Sequence, residues 1–338
     1  MEVRELDTDI KSGNIKKIYF FYGPEVFLME NKINSIKKHI LDEDSTEFGF
    51  SKFTGKDSNF EEFEFEFYSY PMSGDKKIII LQNTGWFSNP KSSEILSLKK
   101  FFSEIPEYLY VVIREDGFDK KKEKNIEFIK NSGGGIVNFE HLPIGQLCSW
   151  IEKMFSDNGK IVKQSDILYI VNASNSEMSK IYREVEKLII FSDDDKNIVS
   201  EDIYSLVTKS GEYKIYELFD DIVEAKGRQA MEKLKQILDS KEKPTSIIAG
   251  LTNKFSELLT VKLLNSDRVS ISEIVNYLDF KMPEFVVKKM VSQSKKYGEK
   301  YLKRMIRMGI DFDRSIKNGR LDQKTAAEMF VTELIRCD

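Results

Sequence analysis

The sequence predicts an α/β domain with a parallel sheet followed by an all-helical remainder, and three observations carry that prediction. Apolar, strand-like runs alternate with helix-spaced segments up to about residue 140. Two of the runs, Ile78–Leu81 and Tyr108–Ile113, are continuously apolar, as strands buried on both faces of a parallel sheet are. From His141 onward the strand signal disappears and only helical stripes remain.

The first unit sets the domain. Ile18–Tyr22 is a short aromatic-rich run, Gly23-Pro24 stops it, and Val26, Met29, Glu30 and Ile33 follow at helical spacing. Strand, tight turn and helix in this order carry the phosphate loop of nucleotide-binding α/β domains. There a Gly lets the backbone close round the phosphates, a Lys neutralises them and a Ser or Thr holds magnesium. Counted from Gly23, a G-x-x-x-x-G-K-[ST] loop needs Gly, Lys and Ser/Thr where this chain has Leu28, Met29 and Glu30. A carboxylate in place of the metal-binding hydroxyl, with no ammonium beside it, repels a triphosphate.

The rest of the domain follows in order. Phe48–Phe53 alternates as a second strand, and Ser58-x-x-Glu61 reads as a capping box opening a helix with Phe60, Phe63 and Phe67 on one face. The F-E-F-E-F of 63–67 has a competing period of two; the cap and the acidic first turn favour the helix. Lys76-Lys77 leads into Ile78–Leu81, helices Lys91–Ser103 and Lys120–Lys130 lie between strands, and Gly133-Gly134-Gly135 leads into Ile136–Phe139. Such a βαβ series is a doubly wound domain. An NTPase of this type follows an apolar strand directly with Asp-Glu. Here Ile78–Leu81 is followed by the neutral Gln82 and Asn83, and Val111-Val112-Ile113 by Arg114-Glu115-Asp116, which reads as a turn.

Three or four short helices are expected over 141–210: one with Leu147, Ile151, Met154 and Phe155 ending at Asn158-Gly159, one with Ile181, Val185, Leu188 and Ile189, and one capped by Ser200. Longer helices fill 211–338, with Pro244 and Pro283 at or before helix starts and no repeat that would make a solenoid. The expected division is 1–140, 141–210 and 211–338.

In 338 residues, 41% are hydrophobic and 32% charged, and the apolar runs are far too short to span a bilayer. The acidic start MEVRELDTD has no secretory segment and Cys148 and Cys337 form no disulfide framework, so the expected location is the cytoplasm. His39 and His141 are isolated, giving no metal-ligand spacing and no catalytic triad. The net charge of −4 hides an asymmetry: 41–75 has ten acidic residues against Lys52 and Lys56, whereas 281–320 has twelve Lys/Arg against four acids. Solvated helix faces explain both; the second end also suits phosphates.

Tyr19-Phe20-Phe21-Tyr22-Gly23-Pro24-Glu25 with Phe27-Leu28-Met29-Glu30, then Glu184-x-Glu186-Lys187-Leu188, Ile215-Tyr216-x-Leu218-Phe219-Asp220, Lys281-Met282-Pro283-x-Phe285-Val286-Val287-Lys288-Lys289 and Ile316-Lys317-x-Gly319-Arg320-Leu321-Asp322 resemble, in order, motifs of the delta subunit of the bacterial DNA polymerase III clamp loader. The resemblance implies an AAA+-like α/β domain, a small helical lid and a C-terminal helical collar. It implies a non-catalytic subunit with no cofactor, which binds the sliding clamp (beta subunit), opens its ring and assembles with the ATPase gamma/tau subunits and delta-prime. It meets primed DNA through the complex, and no membrane. The clamp-binding tip would be Tyr68, Tyr70, Pro71 and Met72, followed by Ser73-Gly74-Asp75; many relatives carry Leu-Phe or Pro-Phe there, so the pocket-filling residue lies between Tyr70 and Met72. Lys288, Lys289, Lys317 and Arg320 are candidate contacts to DNA backbone. Two rival readings are an ATPase with a degenerate loop, opposed by Leu28, Met29 and Glu30, and a stand-alone DNA-binding regulator, opposed by the excess of Lys over base-reading side chains at 281–320.

Overall fold

The computed structural model describes residues 1–41, 49–72, 74–89, 92–193, 195–240, 242–267, 269–278 and 284–336. The start of the second strand at Phe48, Lys91, Ser73 of the tip, Lys281-Met282-Pro283 and Cys337 lie outside them. The chain forms two compact units, Met1–Leu142 and Pro143–Asp338.

In the first unit, helix α1 (Val3–Ser12) precedes β1 (Ile18–Tyr22), α2 (Val26–Ile40), β2 (Phe50–Thr54), α3 (Phe60–Tyr68), β3 (Lys77–Gln82), α4 (Ser93–Ser103), β4 (Leu109–Glu115), a 3₁₀ turn (Lys120–Ile126), α5 (Phe128–Asn131) and β5 (Gly135–Asn138). The five strands are all parallel in the order β2-β3-β4-β1-β5, with Phe20 opposite both Ile113 and Ile136. The period of two sorts the strand residues onto two faces. Tyr19, Phe21, Ile78, Ile80 and Val112 pack with Leu6, Ile10, Met29, Ile33 and Ile36 from α1 and α2. Phe20, Ile79, Leu81, Val111 and Ile113 pack with Phe63, Phe67, Leu98, Phe101 and Phe102 from α3 and α4. Burial on both faces is why these strands read as unbroken apolar runs.

Four local expectations change. Helix α1 was not anticipated: only Leu6 and Ile10 are buried, too few to mark a period among charged neighbours. The cap of α3 is Asn59, whose side chain accepts from the backbone N–H groups of Glu61 and Glu62, while the Ser58 N–H closes a turn on Gly55 O. The helix expected at Lys120–Lys130 is a 3₁₀ turn followed by one turn of α-helix. Arg114-Glu115 is strand rather than turn, because the guanidinium finds two carboxylates, as described below.

The second unit holds α6 (Ile144–Asp157), α7 (Gln164–Ala173), α8 (Met178–Phe191), α9 (Ser200–Leu206), α10 (Gly211–Val223), α11 (Gly227–Asp239), α12 (Pro244–Ser266), α13 (Ile271–Tyr277), α14 (Glu284–Ser294), α15 (Glu299–Lys317) and α16 (Gln323–Arg336). Ser200 does not cap α9; its hydroxyl donates to the buried Asp166 at 2.7 Å, joined by the Tyr204 hydroxyl at 3.0 Å. One apolar core runs through α10–α16, with Phe219, Leu251, Phe255, Leu258, Leu302, Met305 and Phe330 wholly or almost wholly buried. At Gly309 of α15 any side chain would collide with Thr252 and Phe330, so the close approach of α12 and α15 depends on its missing Cβ.

Candidate functional site

Open α/β sheets bind ligands at the carboxyl edge of their strands, and here that edge is filled by the protein itself. At the end of β1, Gly23 has φ 121°, and a Cβ there would lie 2.5 Å from Phe139 O, so only glycine fits. The Glu25 N–H, which a phosphate loop would leave for its anion, donates to Phe139 O at 3.1 Å. The Glu25 carboxylate is buried before the start of α2, 3.1 Å from His141 Nδ1. Leu28 is half-buried and Met29 is wholly buried in the core, leaving Glu30 as the helix residue that reaches the strand ends.

Glu30 Oε1 accepts from Arg114 Nη1 at 2.7 Å, and Arg114 turns its Nε and Nη2 onto Asp116 at 2.6 and 2.8 Å. Asp116 also accepts from Asn83 Nδ2 at 2.8 Å while its N–H donates to Asn83 Oδ1 at 2.9 Å, a reciprocal pair that holds Asn83 at φ 53°. Burial raises the Asp116 carboxyl, but the bonds from Arg114 and Asn83 outweigh it and leave the group below the ordinary range. The neighbouring Glu115, facing Thr84 and Gly85, is pushed up by burial. The corner therefore has carboxylates where a triphosphate would sit, and its buried guanidinium is committed to Glu30 and Asp116.

The opposite edge of the sheet carries the tip. Tyr70 is 79% and Met72 89% exposed, Tyr68 is half-exposed, and Pro71 is partly covered. The Tyr68 ring rests edge-on against Phe101, the Tyr70 ring lies 4.9 Å from Tyr108, and the Tyr108 hydroxyl donates to Tyr68 O at 3.1 Å. The backbone beneath is fixed by Lys77, almost wholly buried at the start of β3. Its ammonium donates to Glu66 O (2.7 Å) and Ser69 Oγ (2.6 Å) and pairs with Glu66 Oε1 (2.7 Å), closing the C-terminus of α3 with a positive charge. Burial raises Glu66, yet the bonds from Lys77, Ser51 and Ser69 hold it below the usual carboxylate range.

The structure does not gather the four basic candidates into one site. Lys289 pairs with Asp220 at 2.6 Å and lies over the Tyr216 ring; Lys317 pairs with Asp313 at 2.7 Å; Lys288 and Arg320 are exposed. Two residues that matter escaped the sequence. Lys77 and Arg114 read as flanks of strands because partners so distant in sequence leave no local signal. Phe65, which the helical spacing leaves off the face of Phe60, Phe63 and Phe67, is 76% exposed.

A parallel α/β sheet whose phosphate-loop corner is occupied by its own side chains, followed by a helical half, has the architecture of a nucleotide-binding α/β domain without the Lys and hydroxyl of a phosphate loop. Family models match at residues 19–134 (DNA polymerase III, delta subunit) and 212–334 (DNA polymerase III delta subunit, C-terminal domain), together most of the chain. The chain belongs to the DNA polymerase III delta subunit family. It is 22% identical over 334 residues to DNA polymerase III subunit delta of Bacillus subtilis (97% of this chain, 95% of that one), and 21% identical over 299 residues to the probable DNA polymerase III subunit delta of Aquifex aeolicus (86% and 83%). The fold matches that of the Bacillus subtilis DNA clamp loader delta protein with a TM-score of 0.65, 22% identity and 99% of both chains covered. Among the described residues no helix is long and apolar enough to cross a membrane and no group of side chains could hold a metal ion.

Proposed function

We propose that this chain is the clamp-gripping subunit of a clamp loader: it binds the sliding clamp through Tyr68, Tyr70, Pro71 and Met72, opens the ring, and leaves ATP hydrolysis to its partners. The observation that carries this reading is the exposure of Tyr70 and Met72 just past a helix end that Lys77 closes. Burying two such large apolar side chains in a pocket contributes roughly 1.5 to 3 kcal/mol each. The division into 1–140, 141–210 and 211–338 belongs to the same proposal; the family matches stop at 134 and resume at 212, in keeping with a lid between them. The helices of 211–338 would then form the collar that joins the ATPase gamma/tau and delta-prime subunits, and the whole would act on primed DNA in the cytoplasm. A pull-down of the full chain with its organism's own sliding clamp tests the reading, with capture expected. Failure of the two proteins to associate at micromolar concentration would reject it.

A further inference from the structure

The outermost strand of the sheet is open along one side. In the order β2-β3-β4-β1-β5, β2 is bonded to β3 alone, with Phe50 opposite Ile78 and Thr54 opposite Gln82. The Ile78 N–H donates to Gly49 O and the Gly55 N–H to Gln82 O, which assigns the odd-numbered residues of this strand to the β3 ladder. Phe50, Lys52 and Thr54 therefore turn both N–H and C=O outward, with no partner among the described residues. Beside this edge, β2 and α3 border a groove of about 540 Å³ lined by Ser51, Phe53, Asn59, Glu61, Glu62 and Phe65. Two aromatic rings lie in it: Phe53, edge-on to Phe63 at 5.8 Å, and the exposed Phe65. Glu61 and Glu62 give the α3 wall a negative sign; both are exposed and neither has an ion pair among the described residues, whereas Glu66 is committed to Lys77 and Ser51. The opposite face of the strand is positive, because the pleat sets Lys52 beside Phe50, whose ring lies 3.2 Å from Lys37 Nζ.

We propose that β2 is a docking edge for an extended peptide of a partner protein, which adds a further strand to the sheet and lays cationic side chains along α3. Main-chain bonds to Phe50, Lys52 and Thr54 supply the affinity, and the alternate side chains that enter the groove supply the selectivity. The backbone fixes the place and the carboxylates fix the sign of the occupant: a basic side chain meets Glu61 and Glu62, with apolar stem or neighbour against Phe65. A second copy of this chain suits the edge poorly, since pairing two β2 strands about their midpoint sets Lys52 opposite Lys52. The inference does not rest on the tip reading.

The test is binding of the full chain to a fluorescein-labelled peptide of alternating lysine and valine, about ten residues long, read by anisotropy; saturable binding is expected. A strand bonds to an edge through the N–H groups of alternate residues, so N-methylation of all the lysines and of all the valines should differ, one abolishing binding and the other retaining it. Thr54→Pro deletes an outward N–H without touching the β3 ladder and should weaken binding about 10-fold, with the melting temperature within about three degrees of the parent. Glu61→Gln with Glu62→Gln, which keeps the Asn59 cap, should weaken it about 5-fold. No saturable binding by the parent, equal binding by the two methylated peptides, or full affinity in folded Thr54→Pro overturns the proposal. So does a concentration-dependent dimer that Thr54→Pro dissolves, which would make the occupant a second copy. Clamp capture by Thr54→Pro should match the parent; its loss in a folded protein would give the edge to the clamp and overturn the peptide, while absence of capture by the parent itself would count against the tip alone.

Discussion

The two edges of the β-sheet treat their side chains in opposite ways. At the carboxyl edge Arg114, Glu30, Asp116 and Asn83 bond to one another, and the Glu25 N–H is spent on Phe139 O. At the amino edge, before β3, polar groups are used only beneath the surface: Lys77 and Glu66 secure the turn while Tyr70 and Met72 face water. The first arrangement pairs its charges within the protein. The second leaves apolar area exposed at Tyr70 and Met72.

The contrast breaks most easily at the tip. Tyr70→Ala with Met72→Ala should weaken clamp binding by about 2 to 4 kcal/mol, roughly 30-fold to 1000-fold, with an almost unchanged melting temperature. Clamp affinity within threefold of the parent, in a folded protein, would show that the exposed side chains are not the grip. At the sealed edge the expected pattern is reversed. Arg114→Leu strands Asp116 and should cost about 2 to 3 kcal/mol, discounted for the half-exposed Glu30, and lower the melting temperature by roughly 4 to 12 °C while the clamp is still bound. A melting temperature within a degree of the parent would mean the network is ornamental.

Acid sharpens the comparison, because both edges hold depressed carboxylates, Glu66 and Asp116. A carboxyl whose pKa is lower folded than unfolded contributes stability that is complete above the unfolded value, about 4, and is lost as pH falls through the lowered native value. The melting temperature of Lys77→Met, relative to the parent, should therefore begin to recover as pH falls below about 4, and recover fully only once pH has passed the lowered native value, where the parent's folded-state Glu66 is itself protonated. A constant difference from neutral to acid pH would remove Glu66 from the account. The smallest effect is expected from rebuilding the loop. Met29→Lys with Glu30→Ser should leave labelled ATP unbound at micromolar protein, since the Glu25 amide stays bonded to Phe139 and its carboxylate stays in place. Saturable binding would show that the loop residues alone set the loss.

The phosphate loop was legible as degenerate from three positions, since Leu28, Met29 and Glu30 lack the required chemistry in any fold. The alternation of apolar strands with helical stripes was equally legible, because each periodicity is carried within a few residues. The tip was proposed only through the family resemblance, whereas the helical spacing of Phe60, Phe63 and Phe67 already left Phe65 off their face, and it is exposed.

By itself, then, the sequence determined most of the elements, their order and the residues a phosphate loop would need and this chain lacks, all properties of local spacing and residue type. The tertiary structure alone decided where charge is buried. Arg114 meets Glu30, 84 residues away in the chain, and Lys77 closes a helix that ends nine residues earlier, at Tyr68. Such pairings follow from strand order and register, and no local pattern contains them. The same reason separates the paired Lys289 from the exposed Arg320: in sequence both are cations in a basic region, and only packing places Asp220 beside the first.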